Sequence, residues 1–103
     1  MTRTVNNPGF DPKDPAETIT LAFEFAALTD TPRAPEVTAT RHAGTADASP
    51  SAILSGSPTV SGTKILQDVV AGTAGTDYLL RCKVSAPDGS VYVLAGVLPV
   101  RTA

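Results

Sequence analysis

The chain has 103 residues, enough for one small domain and too few for two with separate cores. A hydrophobic share of 42% supports a modest core, although only 5% is aromatic and Trp is absent. The formal net charge of −2 comes from eight basic and ten acidic residues spread without a basic stripe. That excludes the electrostatic footprint of a nucleic-acid binder, and no apolar run is long enough to span a bilayer.

Residues 1–16 are polar and carry Pro8, Gly9, Pro12 and Pro15. Prolines so close together break helices and supply few ladder donors, so the segment is predicted to be an extended arm. It holds no apolar stretch of the kind that forms a signal peptide, and none is expected. The domain proper is predicted over residues 17–103.

Residues 17–28 alternate Ile19, Leu21, Phe23 and Phe25 with Thr18, Thr20, Ala22 and Glu24. This period of two predicts a strand with one buried face. Phe23 and Phe25 are two of the chain's three Phe residues, which makes this strand the expected anchor of the core. Residues 29–35 read as a loop bounded by Pro32 and Pro35. Residues 36–42 alternate Val37, Ala39 and Arg41 against Thr38, Thr40 and His42, the pattern of a strand near a sheet edge. Residues 43–50 contain no large apolar side chain and are expected to form an exposed loop.

Residues 51–55 offer Ile53 or Leu54 to a short strand, and residues 59–61 offer another. Residues 64–70 (Lys-Ile-Leu-Gln-Asp-Val-Val) fit two templates. Ile65, Leu66, Val69 and Val70 sit at helical spacing, but the run is short, rich in Val towards its end and flanked by Gly62 and Gly72. Strand is preferred. Residues 71–76 are a turn. Residues 77–85 give the clearest alternation in the chain, with Tyr78, Leu80, Cys82 and Val84 on one side and Leu79, Arg81, Lys83 and Ser85 on the other. Residues 86–89 (Ala-Pro-Asp-Gly) carry hairpin-turn chemistry, and residues 90–100 are the return strand. About six to seven strands, no helix and closely spaced turns predict an antiparallel all-β sandwich.

Reactive side chains are few. His42 is the only histidine and Cys82 the only cysteine. Cys82 lies on the apolar side of its strand, where a thiol behaves as a small inert hydrophobe. A lone Cys cannot close an intramolecular disulfide, a composition suited to a reducing compartment. His42 ends a polar strand and is expected to be solvated. Asp11, Asp14 and Glu17 lack the spacing of a calcium loop, and residues 72–75 lack the Gly-Lys-Ser/Thr continuation of a phosphate loop. No catalytic, cofactor or metal residue is assigned, and the chain is not expected to be an enzyme.

Two features remain. Tyr78 opens the best strand, where immunoglobulin-like sandwiches often place a Tyr whose hydroxyl bonds back across the corner; simple packing with the hydroxyl at the rim fits the same position. The last strand is apolar on both faces, with Val91, Val93 and Ala95 on one and Tyr92, Leu94 and Gly96 on the other. A strand buried on both faces needs cover. Either the chain's own loop over residues 43–50 provides it, or another subunit does. On the second reading Tyr92, Leu94 and Leu98 are the expected interface residues.

Residues 14–17 (Asp-Pro-Ala-Glu) leading into residues 19–25 (Ile-Thr-Leu-Ala-Phe-Glu-Phe), residues 74–78 (Ala-Gly-Thr-Asp-Tyr), residues 81–84 (Arg-Cys-Lys-Val), residues 87–89 and the final apolar strand are together similar to small immunoglobulin-like proteins encoded among tailed-bacteriophage structural genes. Ala26 and Ala27 stand where those proteins often carry Trp-Ser. The resemblance implies an immunoglobulin-like fold and a non-catalytic structural or assembly role in the head–tail or tail region. It also implies other phage structural proteins or further copies of the chain as partners, and a location in the virion or in the host bacterial cytoplasm during assembly. The competing expectation is a ligand-binding sandwich, for instance a carbohydrate-binding one; such sites use exposed aromatic platforms, and of the chain's aromatics, Phe10, Phe23, Phe25, Tyr78 and Tyr92, most are expected to be buried.

Overall fold

Alternation of apolar and polar residues puts one face of each strand into a shared interior, and two such sheets stacked face to face bury both apolar faces at once. The structure, a computed structural model, describes residues 2–5 and 13–102. Its strands are β1 (Thr2–Val5), β2 (Ile19–Glu24), β3 (Arg33–Gly44), β4 (Leu54–Ser61), β5 (Lys64–Val69), β6 (Thr76–Ser85) and β7 (Val91–Val100). A four-stranded sheet in the order β1-β2-β5-β4 packs against a three-stranded sheet in the order β3-β6-β7. The chain is therefore an all-β sandwich. Among the described strands the pairings are antiparallel except that of β1 with β2, which is parallel, as is the isolated bridge of Lys13 to Val100. Among the described residues no helix is long and apolar enough to cross a membrane.

Phe23, Phe25, Leu21, Ile65 and Val69 from one sheet meet Tyr78, Leu80, Val84, Leu98 and Val100 from the other, all fully buried. Phe23 on β2 and Phe25 just past its end are both members of this core with no exposed surface, as their anchoring role requires. Within residues 64–70, Lys64–Val69 form strand β5 rather than a helical face: Ile65, Gln67 and Val69 point inward together.

Several boundaries differ from expectation. The strand expected at 36–42 starts earlier, at Arg33, and carries Pro35 within it; two register shifts against β6 accommodate the irregular backbone. Residues 50–53 form a single 3₁₀ turn (Pro50–Ile53) instead of the start of a strand, with Ile53 dropped into the core. Thr2–Val5 of the expected arm is a strand in register with β2. Lys13 is buried and bridges to Val100, its N–H donating to the Pro99 carbonyl and its carbonyl accepting from the Arg101 N–H, both at 2.9 Å. Residues 6–12, with Phe10 and Asp11, lie outside the described residues.

Turns follow the local chemistry. In the β6–β7 hairpin Pro87 and Asp88 precede Gly89 at φ +89°, and the Ala86 N–H donates to the Ser90 carbonyl at 2.8 Å. This is the three-residue hairpin loop that ends in a left-handed glycine.

Candidate contact surface

The reactive groups singled out in the sequence do not converge. Cys82 is completely buried, and desolvation pushes its thiol up to about 12. His42 is exposed on β3. Asp14 and Glu17 serve a turn: Glu17 Oε1 accepts from the Asp14 N–H at 2.8 Å, and Asp14 Oδ1 from the Ala16 N–H at 2.8 Å. Among the described residues no group of three or more His, Cys, Asp or Glu side chains could hold a metal ion.

Tyr78 forms the corner contact that its position suggested. It is fully buried; its Oη accepts from the Thr73 N–H at 2.9 Å and donates to Asp47 Oδ2 at 2.5 Å. The bond from Tyr78 holds the Asp47 carboxyl below the usual carboxylate range, helped by the Ser49 N–H. Thr76 Oγ1 donates to the Thr45 carbonyl at 2.8 Å, and the Thr45 N–H donates to the Gly75 carbonyl at 3.1 Å. Residues 45–49 thus close the Tyr78 end of the sandwich.

The last strand resolves differently from the sequence expectation. Gly96, Leu98 and Val100 are buried, and Tyr92 and Leu94 pack against the core. Tyr92, Leu94 and Leu98, expected at a subunit interface, therefore face the interior, and Leu98 has no exposed surface at all. The reason is register. Each lies opposite an inward residue of β6: Tyr92 opposite Val84, Leu94 opposite Cys82 and Leu98 opposite Tyr78. Residues of the other parity, Val91, Val93, Ala95 and Val97, form an outward column, with Val91 54% and Val93 39% exposed. The loop expected as their cover sits at the Tyr78 corner instead.

Across the sheet this column continues onto β6. Leu79 lies opposite Val97, Arg81 opposite Ala95 and Lys83 opposite Val93. Thr40, Thr38 and Glu36 of β3 extend the same three rows. The outer face grades from a neutral apolar rim at β7 to a charged and polar centre. Leu28 and Val60, the other exposed large hydrophobic residues among the described ones, lie on other elements. Hydrophobicity by itself missed the outward set, because both faces of β7 are apolar; the alternation of β6, read across the hairpin, carries the information. Comparisons with protein-family models, with curated proteins and with solved structures found no match for the chain.

Proposed function

We propose that the chain is a non-catalytic contact module: an immunoglobulin-like structural or assembly protein of a tailed-bacteriophage particle, working through protein–protein contacts in the head–tail or tail region. The observation that carries the contact role is the outward column Val91, Val93, Ala95 and Val97, a contiguous apolar rim on a sheet face. Two features support the immunoglobulin-like part. The strand order β1-β2-β5-β4 against β3-β6-β7 parallels the ABED and CFG sheets of constant-type domains, with parallel β1–β2 pairing as a departure. The Tyr78 hydroxyl, taking the N–H of a residue shortly upstream, parallels their tyrosine corner. The phage setting rests on the sequence resemblance over residues 14–25, 74–89 and 91–100. That resemblance implies a location in the virion, and in the host bacterial cytoplasm while particles assemble.

The test is mass spectrometry on density-gradient particles and assembly intermediates made by the genome that encodes the chain. The expected result is a fixed copy number per particle. Absence from both particles and intermediates overturns the reading. The alternative, a carbohydrate-binding sandwich, needs an accessible aromatic platform; Phe23, Phe25 and Tyr78 are buried and Tyr92 packs on the core. A reproducible hit on a glycan array would reverse this ranking.

A further inference from the structure

The β6–β7 hairpin turns through Pro87, Asp88 and Gly89, all three exposed. Asp88 is the one Asp or Asn in the chain that is followed by Gly. The pair matters chemically because glycine has no side chain to hinder a close approach to its backbone. The Gly89 nitrogen can attack the neighbouring Asp88 carboxyl carbon. A bond forms between that nitrogen and Cγ, the amide proton leaves, and the carboxyl hydroxyl departs as water. The five-membered succinimide so formed takes water back at either of its carbonyls. Addition at Cγ restores Asp88. Addition at the main-chain carbon leaves the chain running through the side chain, as isoaspartate. One water leaves and one returns, with no oxidation or reduction.

This route makes two demands. The nitrogen must give up its proton, and the carboxyl must be protonated for its oxygen to leave as water. The closed turn opposes both. The Gly89 N–H donates to the Ala86 carbonyl at 3.0 Å. The Ser90 N–H donates to Asp88 Oδ1 at 2.9 Å. Hydrogen bonds to a carboxylate favour its charged form, and the Ser90 N–H followed by the Ser90 hydroxyl holds the Asp88 carboxyl below the usual carboxylate range. The Ala86 N–H closes the turn on the Ser90 carbonyl at 2.8 Å, and the strands behind it stay in register from Ser85 opposite Val91 to Thr76 opposite Val100.

We propose that Asp88–Gly89 is a latent site of succinimide formation and isomerisation, blocked by the closed hairpin and reactive only when the turn opens. The bonds that close the turn are the bonds that block the chemistry, so the reaction records opening of this hairpin. The product carries one extra backbone carbon in a loop whose length sets the register of the hairpin, directly before Val91 at the head of the outward column. The inference is independent of the contact role and of the phage setting.

The experiment ages the full chain at neutral pH, once folded and once in denaturant. The tryptic peptide 84–101 is then separated into its equal-mass Asp and isoAsp forms, which electron-transfer fragmentation assigns. Asp30, Asp47, Asp68 and Asp77, which precede Thr, Ala, Val and Tyr, are internal controls. Amide exchange of Gly89 in the folded chain measures how often the turn opens. Isomerisation at Asp88 is expected to be slower in the folded chain by about tenfold or more, in step with the protection of the Gly89 amide. Asp88→Asn removes the ionisable group and reacts by loss of ammonia, with a mass change that reads directly. It keeps the Gly89 N–H bond, so its folded form should also react more slowly than its unfolded form. Equal rates in folded and unfolded wild type overturn the proposal. So does isomerisation in the folded chain faster than opening of the Gly89 amide allows, or folded Asp88→Asn reacting as fast as its unfolded form while that amide stays protected.

Discussion

A phenol, an amide and a carboxylate meet at Tyr78, and each depends on the others. Tyr78→Phe keeps the ring in the core but leaves the Thr73 N–H without its acceptor and Asp47 without its donor. The Thr73 bond is only part-buried, and its loss costs about 1 kcal/mol, which chemical denaturation should report as a lower midpoint at constant slope. The Asp47 carboxyl, lowered by the same bond, titrates below its unfolded value. As pH falls through the carboxylate range the unfolded chain takes up the proton first, so this contribution is present above that range and lost on acidification. Asp47→Asn should flatten the acid limb of stability against pH without abolishing it, because Glu24 is lowered by the Thr63 hydroxyl and Asp88 by the Ser90 N–H. Cys82 acts at the other extreme. Its thiol is raised from 9.0 to about 12, so the unfolded chain loses its proton first and stability should fall as pH rises between those values. Thiol reagents at neutral pH should label Cys82 only at the rate of unfolding, and labelling as fast as that of a free thiol would contradict its burial. The inertness of Cys82 was legible in the alternation of its strand. The contact of Asp47 with Tyr78 was not, since the two are far apart in sequence and nothing in a loop composition names its target.

At the scale of elements, irregularities are tied down by side chains from the regular neighbour. The register shift in β4 turns the Ser55 and Gly56 carbonyls off the ladder, and the buried Gln67 of β5 donates to them at 3.3 and 3.2 Å and to the Asp68 carbonyl at 2.9 Å. Gln67→Leu keeps the volume but removes the donor, and should cost about 1–3 kcal/mol in a denaturant titration; Gln67→Glu supplies no donor when ionised and should fare no better. Read as pattern alone, Gln67 is a polar residue between apolar ones, and its inward face was hidden by the apolar Leu66 beside it. Gly44 ends β3 at φ +87°, and a Cβ there would lie 2.1 Å from the Gly75 carbonyl oxygen. Neither backbone can give way without breaking the Thr45 bond to Gly75. Gly44→Ala should therefore destabilise by about 2 kcal/mol or more, visible as a drop in melting temperature.

Over the whole molecule, the N-terminal segment touches both layers: Thr2–Val5 extends the β2 sheet and Lys13 joins the β7 edge. The Lys13 ammonium donates to the Ala71 carbonyl at 2.6 Å and to the Asp14 carbonyl at 2.9 Å, fastening the connection between β5 and β6 at the open end of the core. Lys13→Ala removes a buried stem and those donors together, and should cost about 2–4 kcal/mol, measured as a shift in denaturation midpoint. Composition pointed the other way, because lysine is almost never fully buried and a proline-rich lead reads as a solvated arm. The sequence by itself determined the class of fold. Period-two alternation in β2 and β6, Pro and Gly between the runs, and the Pro-Asp-Gly hairpin are local signals, and local signals suffice to specify strands, turns and hence two apolar faces that must stack. Only the tertiary structure decided which way β7 faces. With both of its sides apolar, hydrophobicity could not choose; pairing with β6 did, by setting Leu98 against Tyr78 and leaving Val91 and Val93 outside.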